Sequence, residues 1–210
     1  MKTVLFQGDS ITDCGRLTCG GAGYPMNEIG PGYAGLISSR LLWDHAGEEL
    51  NFINRGISGN RIVDLYARWK VDSLNLNPDI LSLLIGVNDV LHEDICNNGV
   101  GIERFDEFLR RILAWSRERN PDLALVIMEP FMLPFGYGSE DMLSEIKRRG
   151  EVVQQAAADF KAIFIPLQQQ FEQAAERFGA EFMLVDGVHP TPAGHQMLAD
   201  LWLKNTACLF

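Results

Sequence analysis

The sequence predicts an α/β fold, a three-layer α/β/α sandwich around a five-stranded parallel sheet. Short apolar runs alternate along the chain with longer stretches in which apolar residues return every three or four positions. This alternation is typical of parallel strands joined by helical crossovers. The length of 210 residues suits one domain with a substantial core. Because the chain carries no internal repeat and no low-complexity linker, we expect a single domain over residues 1–210.

The predicted elements follow from these runs. The strands are Thr3–Gln7, Asn51–Asn54, Ile80–Ile85, Ala124–Met128 and Ile163–Ile165. The helices are Tyr33–Trp43, Arg61–Val71, Phe105–Arg119, Asp141–Phe160, Leu167–Phe178 and Pro192–Leu209. The last helix has a clear start signal, because Thr191 is placed as its N-cap and Pro192 at its first position. The glycine-rich connection Gly15–Gly35 is the least regular part, and such a segment is either functional or a tolerated surface insertion.

The charge balance excludes some classes of partner. The chain has 18 Lys and Arg against 28 Asp and Glu, a formal net charge of −10, so its surface repels phosphate backbones and anionic lipid. No apolar run approaches the ~20 residues of a transmembrane helix. The apolar run Val4–Phe6 is too short for a signal peptide. We therefore expect a cytoplasmic protein that binds neither nucleic acid nor membranes.

The cysteines predict neither a disulfide scaffold nor a metal site. Four occur, at Cys14, Cys19, Cys96 and Cys208, which is too few for a disulfide framework in a chain of this length. Cys14 and Cys19 are close in sequence, but no second Cys or His pair with ligand spacing accompanies them. We expect reduced thiols and no bound metal.

Chemically active residues lie where ligands bind in an open parallel sheet, beyond the carboxyl ends of the strands. They fall in four segments, of which three follow the first three strands and one precedes the last helix: Gly8–Asp13, Asn54–Asn60, Gly86–Asp89 and Asp186–Pro190. Taken singly, each segment has a plainer interpretation as a turn, a helix cap or an exposed loop. Their occurrence together in one chain, each beside a predicted sheet edge, predicts one site.

These four segments hold the parts of an acyl-transfer site. A serine hydroxyl becomes a good nucleophile only when a base takes its proton, and that base needs a third group to orient it. Ser10, His189 and Asp186 are the candidates for these three roles. The candidate donors to the oxyanion are the backbone N–H groups of Ser10 and Gly56 and the side-chain amide of Asn88. Loss of one such donor typically costs about 10²–10³ in turnover.

The same residues resemble the four sequence blocks of the SGNH hydrolases, the GDSL esterase superfamily. The match places Ser10 in the first block, Gly56 in the second, Asn88 in the third, and both Asp186 and His189 in the last. The resemblance implies that these residues are the nucleophile, two oxyanion donors and the remainder of the triad. It also implies a flavodoxin-like sandwich with strand order 2-1-3-4-5, and no metal or organic cofactor.

Flanking residues are similar to those of bacterial intracellular acetylxylan esterases within that superfamily. The similarity covers Gln7–Arg16, Gly56–Asn60, Asp64-Leu65, Ala67-Arg68-Trp69 and Pro130-Phe131. It implies that the substrate is an acetylated xylo-oligosaccharide and that the protein is a homo-oligomer, since octameric rings are known in that subgroup. The glycine-rich segment after Arg16 departs from the subgroup in length and composition.

Two alternatives remain open from the sequence. The first is a short-chain acyl esterase, thioesterase or lysophospholipase that acts on a non-sugar substrate. The second is a catalytically inactive carbohydrate-binding or assembly protein on the same fold. The intact Ser10, Asp186 and His189 argue against the second, because a degenerate site would usually have lost one of them.

Other conspicuous residues have expected structural roles. His195 lies one turn inside the last predicted helix, where a packing or a surface role is expected, and Asp13 and Arg16 are candidates to hold the turn of Ser10. His92 is a candidate for the pocket wall because it follows the Asn88 segment. The four tryptophans lie on predicted helices, where core or subunit contacts are the default: Trp43, Trp69, Trp115 and Trp202.

Overall fold

The computed structural model describes residues 1–18 and 26–210, and a sheet of five parallel strands forms its centre. The strands are β1 (Lys2–Gly8), β2 (Leu50–Asn54), β3 (Ile80–Leu84), β4 (Ala124–Met128) and β5 (Ile163–Ile165). They lie in the order β2-β1-β3-β4-β5, and every neighbouring pair is parallel. The predicted α/β class, the five strands and the strand order implied by the resemblance are confirmed.

Helices connect the strands and cover the sheet. They are α1 (Ser10–Asp13), α2 (Met26–Ile29), α3 (Tyr33–Asp44), α4 (Ile62–Asp72), α5 (Val87–Cys96), α6 (Ile102–Arg119), α7 (Glu140–Asp159), α8 (Gln168–Phe178), α9 (Ala180–Met183) and α10 (Pro192–Thr206). Short 3-10 turns follow α4 and α10, at Leu74–Leu76 and Ala207–Leu209. Within the described ranges, no helix is long and apolar enough to cross a membrane.

Two apolar cores pack against opposite faces of the sheet. Because successive side chains of a strand point to opposite faces, Val4 and Phe6 belong to one core and Leu5 to the other. Helices α3 and α10 supply residues to the first core, and α4 and α6 to the second. All five residues of β3 are buried, as expected for a central strand covered on both sides. The three layers of the sandwich follow from this arrangement.

The structure has four helices that the periodicity did not predict: α1, α2, α5 and α9. Three of them are only four residues long, which is too short to show a helical period. Helix α5 has ten residues, but it begins directly after β3, where the sequence indicated a strand end or a cap. The predicted final helix ends at Thr206 and continues as a 3-10 turn. The predicted irregular segment Gly15–Gly35 lies partly outside the described residues, and its described part includes α2.

Candidate active site

The chain turns directly from the interior strand β1 into α1, and this turn presents Ser10. The side chain of Asp9 caps α1, since its Oδ1 accepts a hydrogen bond from the backbone N–H of Ile11 at 3.0 Å. Ser10 is the first residue of α1 and therefore lies at the carboxyl end of a strand in the middle of the sheet. This position is where an open parallel sheet binds its ligands.

The structure brings the three predicted triad side chains into hydrogen-bonding contact. Ser10 Oγ lies 2.9 Å from His189 Nε2, and His189 Nδ1 lies 2.7 Å from Asp186 Oδ2. A proton on Nδ1, donated to the carboxylate, leaves Nε2 free to accept the proton of the Ser10 hydroxyl. The arrangement is that of a nucleophile, a base and an orienting acid.

Asp186 is held in its charged form. Its Oδ1 accepts hydrogen bonds from the backbone N–H groups of His189 at 2.8 Å and Val188 at 3.1 Å. Partial burial acts to raise the pKa of Asp186, but the hydrogen bonds from the backbone and ring of His189 and from Val188 outweigh it. The pKa therefore lies below the ordinary value of an aspartate. A charged Asp186 stabilises the imidazolium that forms when His189 takes a proton.

A second carboxyl group, that of Asp9, is buried next to Ser10, and its pKa is raised rather than lowered. Complete burial raises the pKa of Asp9 to about 7, against the lowering effects of the Ile11 N–H and the nearby His189. Its Oδ2 has no hydrogen-bond partner within the described residues. Asp9 therefore stays protonated on the acid side of pH 7, and Asp186 is the carboxylate that serves His189 there.

The loop that carries Asp186 is fixed by backbone contacts with the loop after β4. The N–H of Leu133 donates to the carbonyl of Gly187 at 2.9 Å, and the N–H of Tyr137 donates to the carbonyl of Asp186 at 2.8 Å. Gly187 has a φ of +88°, and a Cβ there would lie 2.0 Å from the carbonyl oxygen of Phe135. Only glycine fits this approach, so the two loops hold the triad acid together. This support is not evident from the sequence, because the pairing joins residues some 50 positions apart in the chain.

Replacing Gly187 with alanine is expected to lower kcat/KM for acetyl esters at least about 100-fold, because a displaced Asp186 cannot orient His189. The strained φ and the steric overlap should also destabilise the fold by about 2 kcal/mol. Ester hydrolysis and thermal unfolding of the purified variant measure both effects.

Gly47 is the matched control for this substitution. It also has a positive φ, +105°, but a Cβ there would meet nothing within 4 Å. Gly47→Ala should therefore lose only the stability that a positive φ costs an alanine, and it should keep full activity. Equal activity in Gly187→Ala and Gly47→Ala would show that the acid loop does not depend on the close approach at Gly187.

Two of the three predicted oxyanion donors have an N–H available. Within the described residues, the backbone N–H of Ser10 donates no hydrogen bond to the protein. Asn88 lies in the first turn of α5 and is buried. Its Nδ2 donates one hydrogen bond to the carbonyl of Asn60 at 3.1 Å, which orients the amide and leaves its second N–H for a ligand.

The third predicted donor, Gly56, is corrected by the structure. Its N–H donates to Asn54 Oδ1 at 2.8 Å, so that N–H serves the turn rather than a ligand. Gly59 has an N–H without an acceptor among the described residues. It also directly precedes Asn60, whose carbonyl holds the Asn88 amide. Gly59, rather than Gly56, therefore has an N–H available for a ligand, one residue before the carbonyl that holds the Asn88 amide.

Asp13 and Arg16 hold this loop. Asp13 Oδ2 accepts from the N–H and the hydroxyl of Ser58, at 3.1 and 2.8 Å. The Arg16 guanidinium donates to the carbonyl of Gly56 through Nε and Nη2, at 3.1 and 2.9 Å. These contacts tie the end of α1 and the segment after it to the segment after β2.

The remaining conspicuous residues fall into packed and surface groups. His195 is buried, with Nδ1 accepting from the N–H of Tyr33 and Nε2 3.3 Å from Cys14 Sγ. Burial, followed by the nearby His189, lowers the pKa of His195 to about 4, so this ring is a neutral packing group, the first of the two roles expected for it. His92 borders the loop after β2, because a Cβ on Gly59 would lie 4.0 Å from its ring.

The tryptophans divide in the same way. Trp69 and Trp202 are fully buried, whereas Trp43 is 79% exposed. Among the residues that the structure describes, no group of three or more His, Cys, Asp or Glu side chains is arranged to hold a metal ion.

Comparisons with known proteins agree with this geometry. Residues 6–197 match the model of the GDSL-like lipase/acylhydrolase family. An acetylxylan esterase from Geobacillus stearothermophilus is 32% identical over 209 residues, which cover 97% of this chain and 93% of that relative.

Solved structures show the same likeness in three dimensions. The crystal structure of Axe2, an acetylxylan esterase from Geobacillus stearothermophilus, has a TM-score of 0.86 at 29% identity and covers 97% of this chain and 93% of its own. LAE5, an α/β hydrolase from the metagenome of Lake Arreo, has a TM-score of 0.88 at 28% identity and covers 100% and 96% of the two chains.

Proposed function

The chain belongs to the GDSL-like lipase/acylhydrolase family and is a serine esterase, and from that premise we propose that it removes acetyl groups from xylo-oligosaccharides or related acetylated sugars. The observation that carries the proposal is the contact of Ser10 Oγ with His189 Nε2 at 2.9 Å in a chain 32% identical to an acetylxylan esterase. The site is open, since the His189 side chain is 41% exposed. An open site admits an ester whose alcohol part is much larger than its acetyl group.

The proposed reaction has two halves. In the first, Ser10 Oγ attacks the acetyl carbonyl while His189 Nε2 takes the hydroxyl proton, and the same proton then goes to the departing sugar oxygen. This step leaves an acetyl group on Ser10. In the second half, His189 takes a proton from a water molecule that attacks the acetyl-enzyme. The tetrahedral intermediate that this attack forms collapses as His189 returns the proton to Ser10 Oγ, so that acetic acid, which ionises to acetate, is released and the serine hydroxyl is restored.

The oxyanion of each tetrahedral intermediate needs hydrogen-bond donors fixed in advance. We assign this role to the backbone N–H groups of Ser10 and Gly59 and to the free N–H of the Asn88 amide. Gly59 replaces Gly56 in this assignment because the Gly56 N–H is bound to Asn54 Oδ1.

A substrate panel tests the proposal. The panel contains acetylated xylo-oligosaccharides, acetylated pectin fragments, an acetylated amino-sugar polymer, and the acetyl and octanoyl esters of 4-nitrophenol. We expect acetate release to be fastest from the xylo-oligosaccharides, and acetyl to be preferred over octanoyl. A strong preference for octanoyl esters would contradict the proposal and favour a non-sugar acyl esterase. Sugar binding without acetate release would favour an inactive binding protein.

Further parts of the proposal concern the whole protein. We propose that residues 1–210 form one domain, because residues as far apart as Ser10 and His189 meet at one sheet edge. We also propose a cytoplasmic homo-oligomer, with an octamer as the assembly implied by the resemblance to acetylxylan esterases. Light scattering of the purified protein measures the number of subunits.

A further inference from the structure

One aromatic side chain stands exposed beside the triad acid and is not used by the mechanism. The loop after β4 buries most of its apolar residues, including Phe131 and Met132, yet it leaves Tyr137 59% exposed. The backbone N–H of Tyr137 donates to the carbonyl of Asp186 at 2.8 Å. Tyr137 therefore borders the catalytic site on the side of the sheet where β4 ends.

The backbone beneath Tyr137 is held firmly. A Cβ on the preceding Gly136 would lie 2.4 Å from the carbonyl oxygen of Asp186, so the two segments are in close contact. Earlier in the loop, the buried Gln168 side chain binds both the N–H and the carbonyl of Met132, at 3.0 and 2.9 Å. An exposed ring on a fixed backbone loses little conformational freedom when a ligand covers it.

The ring itself has no partner in the described part of the chain. Among the described residues, Tyr137 forms no aromatic pair, and its hydroxyl makes no hydrogen bond to the protein. By contrast, the exposed Phe178 pairs with Phe182 at a centroid distance of 5.8 Å. The exposed ring of Tyr137 is therefore free to contact a ligand at this place.

The chemistry of the substrate indicates which ligand that is. The acetyl group presents only a methyl to the enzyme, so most of the substrate is the sugar alcohol, which must extend over the surface around Ser10. The C–H groups of a pyranose face complement the electron-rich face of an aromatic ring. We propose that Tyr137 binds the sugar part of the substrate by stacking against a pyranose ring. This inference rests on the proposed deacetylation of saccharides.

Trp43 provides the contrast and the control. Its ring is 79% exposed, but it lies at the end of α3, just before the chain enters the amino end of β2. The active site lies at the carboxyl ends of the strands. A substrate on Ser10 does not reach Trp43.

The experiment compares Tyr137→Ala, Tyr137→Phe and Trp43→Ala with the parent enzyme. The readout is kcat/KM for an acetylated xylo-oligosaccharide divided by kcat/KM for 4-nitrophenyl acetate, which has no sugar. We expect Tyr137→Ala to lower this ratio about five- to tenfold through a higher KM. Tyr137→Phe should keep the ratio because it keeps the ring, and Trp43→Ala should leave the ratio at the parent value.

Binding measured without turnover gives an independent readout. In the Ser10→Ala background, calorimetry should show an acetylated xylo-oligosaccharide binding about five- to tenfold more weakly once Tyr137→Ala is added. An unchanged ratio in Tyr137→Ala, or an equal loss in Tyr137→Phe, would overturn the stacking role and leave the proposed function intact. If the parent released no acetate from any acetylated saccharide, this result would contradict both the proposed function and the stacking role of Tyr137.

Discussion

Replacing Ser10 with alanine is expected to lower kcat for acetyl ester hydrolysis about 10⁵-fold or more. The variant retains every proposed oxyanion donor, since the backbone N–H groups at positions 10 and 59 and the Asn88 amide remain, but it has no oxygen to form the acetyl-enzyme. What activity remains comes from binding and electrostatics alone. Acetate release measured under substrate saturation gives the value directly.

Ser144→Ala is the matched control for this substitution. Ser144 is an exposed residue of α7 whose hydroxyl only donates to the carbonyl of Glu140 at 3.1 Å. Its loss should leave kcat unchanged. Turnover in Ser10→Ala equal to that in the parent would exclude Ser10 as the nucleophile.

Replacing Asp186 with asparagine is expected to lower kcat about 10³–10⁴-fold, less than the loss of Ser10. The asparagine oxygen can still accept from the backbone N–H groups of Val188 and His189, so the loop should keep its shape. The uncharged amide, however, neither fixes the His189 tautomer nor stabilises the imidazolium. Asp159→Asn is the control, because Asp159 is an exposed carboxylate paired with Arg110 on the surface. Equal turnover in Asp186→Asn and the parent would show that Asp186 does not orient or stabilise His189.

The Asp186 charge also makes a pH-dependent contribution to stability. The pKa of Asp186 in the folded protein lies below its ordinary value, so its charge stabilises the fold above the unfolded pKa of about 3.9. This stabilisation is lost as the pH falls through the lower pKa of the folded state. The difference in Tm between the parent and Asp186→Asn should therefore shrink as the pH falls below about 4.

Most of the fold was predictable because strands that are buried on both faces of the sheet have continuous apolar sequences. Residues Ile80–Leu84 of β3 are all buried, and the sequence placed that strand within one residue. The short helix α1 was not predictable, since only Ile11 and Thr12 are buried in it. Its helical form depends on the Asp9 cap rather than on any apolar period.

The triad candidates were predictable because their residue types and order are restrictive. The choice between Gly56 and Gly59 was not, because both glycines occur in one five-residue segment of the sequence. The side chain of Asn54 occupies the Gly56 N–H, and the sequence does not show this contact. The role of Gly187 was equally hidden, because its steric constraint comes from the carbonyl of Phe135 in a distant loop.

The most direct test of the central claim is to label the nucleophile with a serine-directed phosphonofluoridate and to map the site by peptide mass spectrometry. An activated serine reacts with this reagent, whereas an ordinary hydroxyl does not. We expect inactivation with one phosphonyl group on the tryptic peptide Thr3–Arg16, in which Ser10 is the only serine. Acetylated xylo-oligosaccharide should slow the reaction, and His189→Ala should abolish it. Labelling of a different serine, or full activity without any label on this peptide, would contradict the account.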